Sequence, residues 1–287
     1  MKELLFEYDM SLDFQPPVEE HRFTLKCVPK TDERQLINQL DVEVYPKELL
    51  STDEDSFGNY SIYGYTKGKH DRFFARVHGR ARTGLAPWLT AKEEHQIGIF
   101  KYQTDYTRPG PAILAFADSL KNTCTDHFAD PALKNIADSE SNRRNNQNPS
   151  SALNQAVFLM HSLYDHFSYV QGVTDIQTTA EQAMALGKGV CQDYSHILLS
   201  LCRLRKIPCR YVVGMLIGEG LSHAWVEVCS DGRWYALDPT NNLIVDDQHI
   251  KISAGRDYHD CIVSQGVFVG HTTQTQTVAV RVKEANE

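Results

Sequence analysis

Three reactive side chains sit where a folding pattern alone would not choose them. Two lie in SHAWVEVCSDGRWYALDPTNN, from Ser222 to Asn242, where His223 opens one apolar run and Asp238 closes the next. The third is Cys191 in ALGKGVCQDYSH, directly after a glycine-containing turn and at the start of an apolar-periodic segment. A thiol at a helix start meets free backbone N–H groups and the positive end of the helix dipole, which favour the thiolate. A thiolate, an imidazole and a carboxylate are together the parts of a nucleophilic acyl-transfer site.

The hairpin that must carry two of them can be built from the sequence. With Asp231-Gly232 as the turn, Cys229 pairs with Trp234, Val228 with Tyr235, Glu227 with Ala236, Val226 with Leu237 and Trp225 with Asp238. Ala224, Val226 and Val228 then share a face with Tyr235 and Leu237, whereas His223, Trp225 and Asp238 share the other. His223 and Asp238 become diagonal neighbours about 7–8 Å apart at the backbone, near enough for their side chains to bond. A His satisfied by a carboxylate for fold reasons alone is common; the Cys191 helix start weighs against that reading.

Other groups fit the chemistry less well. Cys202 lies inside the same helix, Cys209 and Cys229 in expected strands and Cys27 in a β-rich region, so each reads as packing. Cys124 and Cys261 have no evident activating neighbour. His196 stands five residues beyond Cys191, about 140° around the helix, and reads as a satisfied or surface histidine. Asp193, Asp257 and His259 read as helix-end charges and structural ion pairs. No CxxC or HxxxH spacing points to zinc, and no calcium loop is present, so neither metal nor organic cofactor is expected.

The rest of the chain must position these groups. Residues 1 to about 105 carry short β-like runs, RFTLKCV, DVEVYP, YSIYGYT and DRFFARVHG, which predict a small antiparallel β domain. After Arg108-Pro109-Gly110-Pro111 the pattern turns helical in AILAFADSL, SSALNQAVFLMHSLYDHF and TTAEQAMALG, placing a boundary near residue 107. Thr178 to Glu181 fits a capping box, and Gly187 to Gly189 ends that helix. CQDYSHILLSLCRLRK is then the Cys helix, with Ile197, Leu198, Leu201 and Leu204 on its buried face. Beyond Pro208 come strands, CRYVVGML, HAWVEVC, RWYALDP and finally QTQTVAVRV, giving residues 108–287 an α+β core that includes the C-terminal strands. The polar run from Asp138 to Ser151, unusually long for a compact domain, reads as mobile surface or as the rim of a site, the former preferred.

The 287 residues, 41% hydrophobic and 23% charged, suffice for two ordinary domains. A net charge of -8 argues against nucleic acid as a partner, and Arg143-Arg144 and Arg203/Arg205/Lys206 read as solvated surface. Seven cysteines at irregular spacing do not form a disulfide framework, MKELLFEYDM lacks the pattern of a signal peptide, and no apolar run spans a membrane. A cytoplasmic location is expected.

GVCQDYSHILLSLCRLRKIPCRYVVG, then SHAWVEV and RWYALDPTNN, resembles the core of the transglutaminase-like superfamily, in particular bacterial members described as cysteine proteases. FSYVQGVTDIQTTAEQAMALGKG is similar to their lead-in, and EVYP, DSFGNY, RDYHD and TVAVRV extend the resemblance over most of the chain. The resemblance implies a papain-like α+β fold, a Cys helix packed on an antiparallel sheet, preceded by a β-rich N-terminal domain. It implies Cys191 as nucleophile, His223 as general base and acid, and Asp238 as the group orienting the imidazole. The sequence departs from the family at Lys206, where Gly is frequent, at Cys209, where Ala is common, and at Met215, where an aromatic is common and whose change would alter the rim of the site.

The chemistry expected is attack of the thiolate on an amide carbonyl of a peptide or protein substrate to form a thioester. Water as acceptor makes a peptidase or amidase; an amine makes a transglutaminase or acyltransferase; a non-catalytic peptide-binding protein of the same fold is the third alternative. The Cys191 N–H is one oxyanion donor, with Tyr169 a candidate for the second. Trp225, on the His223 face, is expected to shield the ion pair or contact substrate, with a simple core role equally open.

Overall fold

The computed structural model describes residues 1–91, 97–121 and 151–285. Arg143, Arg144, Cys124 and the polar run up to residue 150 lie outside the described residues. Along the chain come β1 (Lys2–Leu25), β2 (Gln35–Tyr45), β3 (Leu49–Glu54), β4 (Tyr60–Thr66), β5 (His70–Thr83), β6 (Leu89–Thr90) and α1 (Pro111–Ser119). Then follow α2 (Ala152–His166), β7 (Ser168–Tyr169), α3 (Ala180–Leu186), β8 (Lys188–Gly189), α4 (Cys191–Leu204) and β9 (Cys209–Leu216). The chain closes with β10 (Gly218–Gly220), β11 (His223–Ser230), β12 (Arg233–Asp238), β13 (Leu243–Ile244), β14 (His249–Gly255), β15 (Ser264–Val269) and β16 (Thr273–Glu284).

Two antiparallel sheets organise these elements. The site sheet has the order β13-β12-β11-β9-β14, with β6 also on β12. The other sheet is built on β1, whose first half pairs with β5 and β16 and whose second half pairs with β4 and β15. Strands 264–269 and 273–284 therefore belong with the N-terminal sheet, not with the core sheet as the sequence suggested. A strand's alternation reveals its buried face but not its partner, and the sheets cross the sequence boundary near residue 107 in both directions, since β6 joins β12.

The site sheet packs one face on the helices. Ala224, Val226 and Val228 of β11 and Tyr235 and Leu237 of β12 join Leu159, Leu163, Ile197, Leu198 and Leu201 of α2 and α4 in one core. A second core fills the N-terminal sheet and takes in Met215, Ile250 and Ile252 from β9 and β14. Met215 is fully buried there, so the departure at this position alters packing between the sheets and not the rim of the site.

Local chemistry explains the helix ends. The capping box of α3 begins at Thr179, whose hydroxyl accepts from the Gln182 N–H while the Gln182 side chain accepts from the Thr179 N–H. This is one residue later than expected, because Thr178 instead accepts from the Asp175 N–H. The shift releases Glu181 to accept from the N–H groups of Gly110, Ala112 and Ile113 at 2.8, 2.7 and 3.1 Å, capping the start of α1. At the end of α4 the N–H of Ile207 bonds the Cys202 carbonyl and that of Lys206 bonds the Arg203 carbonyl, with Lys206 at φ 59°. This is the Schellman arrangement, whose left-handed residue is usually glycine, which accounts for the family's preference at Lys206.

Arg203 corrects another expectation. It is 1% exposed and donates to Thr107 Oγ1 at 2.7 Å and to the carbonyls of Cys209, Arg256 and Phe100. An arginine is buried at low cost only when its donors are taken up in this way, and nothing in the local charge run signals those distant acceptors.

Candidate active site

The β11–β12 hairpin has the register predicted from its turn. Val226 faces Leu237, Glu227 Ala236, Val228 Tyr235 and Cys229 Trp234. Asp231 and Gly232 take φ of 50° and 72°, the left-handed pair of a type I′ turn. His223 Nε2 donates to Asp238 Oδ2 at 2.7 Å. Burial would lower the His223 pKa, but hydrogen bonds to Asp238 and Cys191, together with their charges, push it up to about 10. Since Nε2 is committed to Asp238, Nδ1 is the ring nitrogen left for the Cys191 thiol.

Cys191 is the first residue of α4. Asp193 fixes this start, accepting from the Val190 N–H and the Thr174 hydroxyl, each at 2.7 Å. Gly189 is needed because a Cβ there would collide with the Asp193 carboxylate. The parallel pair β7–β8 sets Tyr169 opposite Gly189, two residues before Cys191. Tyr169 is half exposed, and its hydroxyl accepts from Gln171 Nε2 at 3.4 Å, leaving the O–H free to donate. Among the described cysteines Cys191 alone is not buried.

Asp238 is fully buried. Its Oδ1 accepts from the N–H groups of Thr240 and Asn241 at 3.0 and 3.2 Å, and its Oδ2 from His223, Asn241 Nδ2 at 2.8 Å and His249 Nε2 at 3.1 Å. Burial would raise its pKa, but the bonds from His223 and His249 hold it below the usual carboxylate range. The donor atoms of His223, Asp238 and His249 lie within 4.8 Å of one another, close enough for a metal. A carboxylate accepting from both imidazoles satisfies the same three groups without an ion.

Trp225 lies beneath this array at 2% exposure. Its ring is 6.2 Å from that of His223 and meets His249 edge-on at 5.3 Å. Its burial leaves the ring no surface to offer a substrate, and it packs with Val212, Ala236, Val245 and Ala254 as a core residue beside the pair. Gly214, opposite His223 in the sheet, gives the indole its space, since a Cβ there would strike the Trp225 ring and the Ile250 carbonyl.

Other sequence candidates stand apart. His196 is wholly buried between the rings of Tyr106 and Tyr211, and its Nε2 accepts from the Tyr258 N–H. Burial and the Arg203 charge push its pKa down to about 3, which makes it a neutral core residue. Asp257 caps a short 3-10 turn through the His259 N–H. Two groups on Asp238 were not anticipated. Asn241 has a visible signal in DPTNN, a polar turn directly after the carboxylate. His249 has little, because β14 lies three places from β12 in the sheet order.

Residues 140–239 match the family model of the transglutaminase-like superfamily, and residues 5–82 that of the bacterial transglutaminase-like N-terminal region. An uncharacterized protein of Mycobacterium leprae is 33% identical over 147 residues, covering 48% of this chain and 51% of that protein. One of Mycobacterium tuberculosis is 33% identical over 126 residues, covering 38% and 40%. The chain thus spans about half or less of the length of these curated relatives. A crystal structure named "Putative Cysteine Protease", from Cytophaga hutchinsonii, superposes with a TM-score of 0.71 at 18% identity, covering 99% of this chain and 91% of that one. That likeness establishes the shared fold.

Proposed function

This chain belongs to the transglutaminase-like superfamily, and from that premise we propose that it is a thiol-dependent enzyme acting on amide bonds of a peptide or protein. Cys191 is the nucleophile, His223 the acid and base, and Asp238 the orienting group. The observation that carries this reading is the His223–Asp238 bond of 2.7 Å, with the Cys191 thiol as the second partner of the same ring.

The thiolate attacks the carbonyl carbon, and the oxyanion is met by the Cys191 N–H at the helix start, with the exposed Tyr169 hydroxyl as second donor. The tetrahedral adduct collapses as the C–N bond breaks, and the His223 imidazolium gives its proton to the departing amine. The neutral imidazole then takes a proton from water, whose oxygen attacks the thioester, releasing the acid and restoring Cys191. Water needs no acceptor pocket, which supports a peptidase or amidase; an amine in the same place gives acyl transfer. Among the described residues no helix is long and apolar enough to cross a membrane.

An activated peptide ester tests the proposal. Rapid quenching followed by mass mapping is expected to find the acyl group on Cys191, and added primary amine partitions the product between acid and amide. Acylation spread over other residues, or persisting in Cys191→Ala, would overturn it.

A further inference from the structure

His249 shares Asp238 Oδ2 with His223, at 3.1 Å, from a strand at the far edge of the sheet. It is 5% exposed. An ionised carboxylate only accepts hydrogen bonds, so both imidazoles must carry a proton on Nε2 to be held there. For His249 this directs Nδ1 away from Asp238 and towards Asp246 Oδ1, an ion-pair contact at 3.6 Å that, with the Gln248 N–H, holds the Asp246 pKa down to about 2.

What lies around Nδ1 is a built polar space. A cavity of about 20 Å³ is lined by His249 and Trp225 and by the charged groups Asp32, Arg34, Glu227, Asp246 and Lys251. Both His249 Nδ1 and Trp225 Nε1 are buried without a direct hydrogen-bond partner in the protein. The volume suits roughly one water. A water there bonds the indole N–H and Nδ1 together, meeting both nitrogens that the protein leaves without a direct hydrogen bond.

Resting on the acyl-transfer reading of Cys191, His223 and Asp238, we infer that His249 is a positioning residue: its Nε2–H, with the ring held between Asp238 and Asp246, keeps Asp238 Oδ2 in line with His223. The arrangement places a second imidazole behind the carboxylate, so Asp238 cannot swing out of line without giving up a bond on each side. His249 touches no substrate and acts only through Asp238.

The test uses the full chain labelled with 15N-histidine, together with His249→Gln and His249→Leu. The nitrogen spectrum of the native protein is expected to show His249, identified by its loss in either variant, protonated at Nε2. Iodoacetamide labelling of Cys191 at pH 6 is expected to slow roughly ten-fold in His249→Leu, the loss of one charge-assisted bond. His249→Gln, which retains an N–H donor, should restore the rate to within about three-fold. A His249 Nε2 without a proton, or equal slowing in both variants, would overturn the inference. If native Cys191 labels no faster than in the unfolded chain, the acyl-transfer reading fails, while the nitrogen spectrum still decides the placement of His249.

Discussion

The two faces of the site sheet are built on opposite principles. Towards α2 and α4 it presents Ala224, Val226, Val228, Tyr235 and Leu237, an apolar face whose stability comes from excluding water. Its other face presents Asp238 and Glu227, both buried, and His223, whose side chain is 12% exposed. Glu227 is held by Arg210 Nε at 2.6 Å and by Lys251 Nζ at 3.0 Å. Segment 30–35 closes over this face: Arg34 donates to the Val245 carbonyl at 2.6 Å, and the Gln35 side chain bonds both the N–H and the carbonyl of Lys251 at 2.8 Å. The apolar face is supplied by the core alone, whereas segment 30–35 adds hydrogen bonds to the Val245 carbonyl and the Lys251 backbone beside the charged face. That difference gives the β-rich region a physical task at the site.

The comparison can be broken in several ways. The largest effect is expected from His223→Ala, which should slow Cys191 acylation by roughly 10²–10⁴-fold, the usual worth of a general acid–base group. Stopped-flow acylation measures this, and a loss under ten-fold would detach the charged face from catalysis. Next comes Glu227→Ala, which strands Lys251 and Arg210 and should cost about 3–5 kcal/mol in urea unfolding. On the opposite face Leu237→Ala should cost about 2–5 kcal/mol, by cavity formation, without changing the pH dependence.

Acid should distinguish the faces directly. Burial would raise the Glu227 pKa, but Arg210 and Lys251 bring it down from 4.5 to about 2. A depressed folded-state pKa contributes stability that is present above the unfolded value and lost as pH falls through the folded one. Unfolding free energy should therefore decline between pH 4.5 and about 2, and less steeply in Glu227→Gln; identical slopes would count against the pairing. The smallest effect is at the helix end, where Lys206→Gly should relieve the left-handed backbone by about 1 kcal/mol and raise Tm.

The hairpin was legible in sequence because turn and alternation agree: Asp-Gly fixes the register, and the register puts His223 and Asp238 on one face. The start of α4 was legible for the same reason, a glycine-ended helix followed at once by a helical apolar period. The first half of β1 was missed although Leu4, Phe6, Tyr8 and Met10 alternate inward, because acidic residues on its outer face obscured the run. Arg203, His249 and the pairing of β16 with β1 depend on partners far away in sequence, and residue spacing carries no information about them. The cap at Thr179 shows a subtler limit: two overlapping motifs satisfied the same rule, and the neighbouring helix's need for Glu181 decided between them.

The most direct measurement is the pH dependence of iodoacetamide labelling in the native protein, with the modified cysteine located by peptide mass mapping and the series repeated in His223→Ala. The account predicts rapid labelling of Cys191 well below pH 8, slowed in the variant as the imidazolium partner is lost. Labelling of Cys191 no faster than that of an ordinary thiol, and alike in the two proteins, would contradict it.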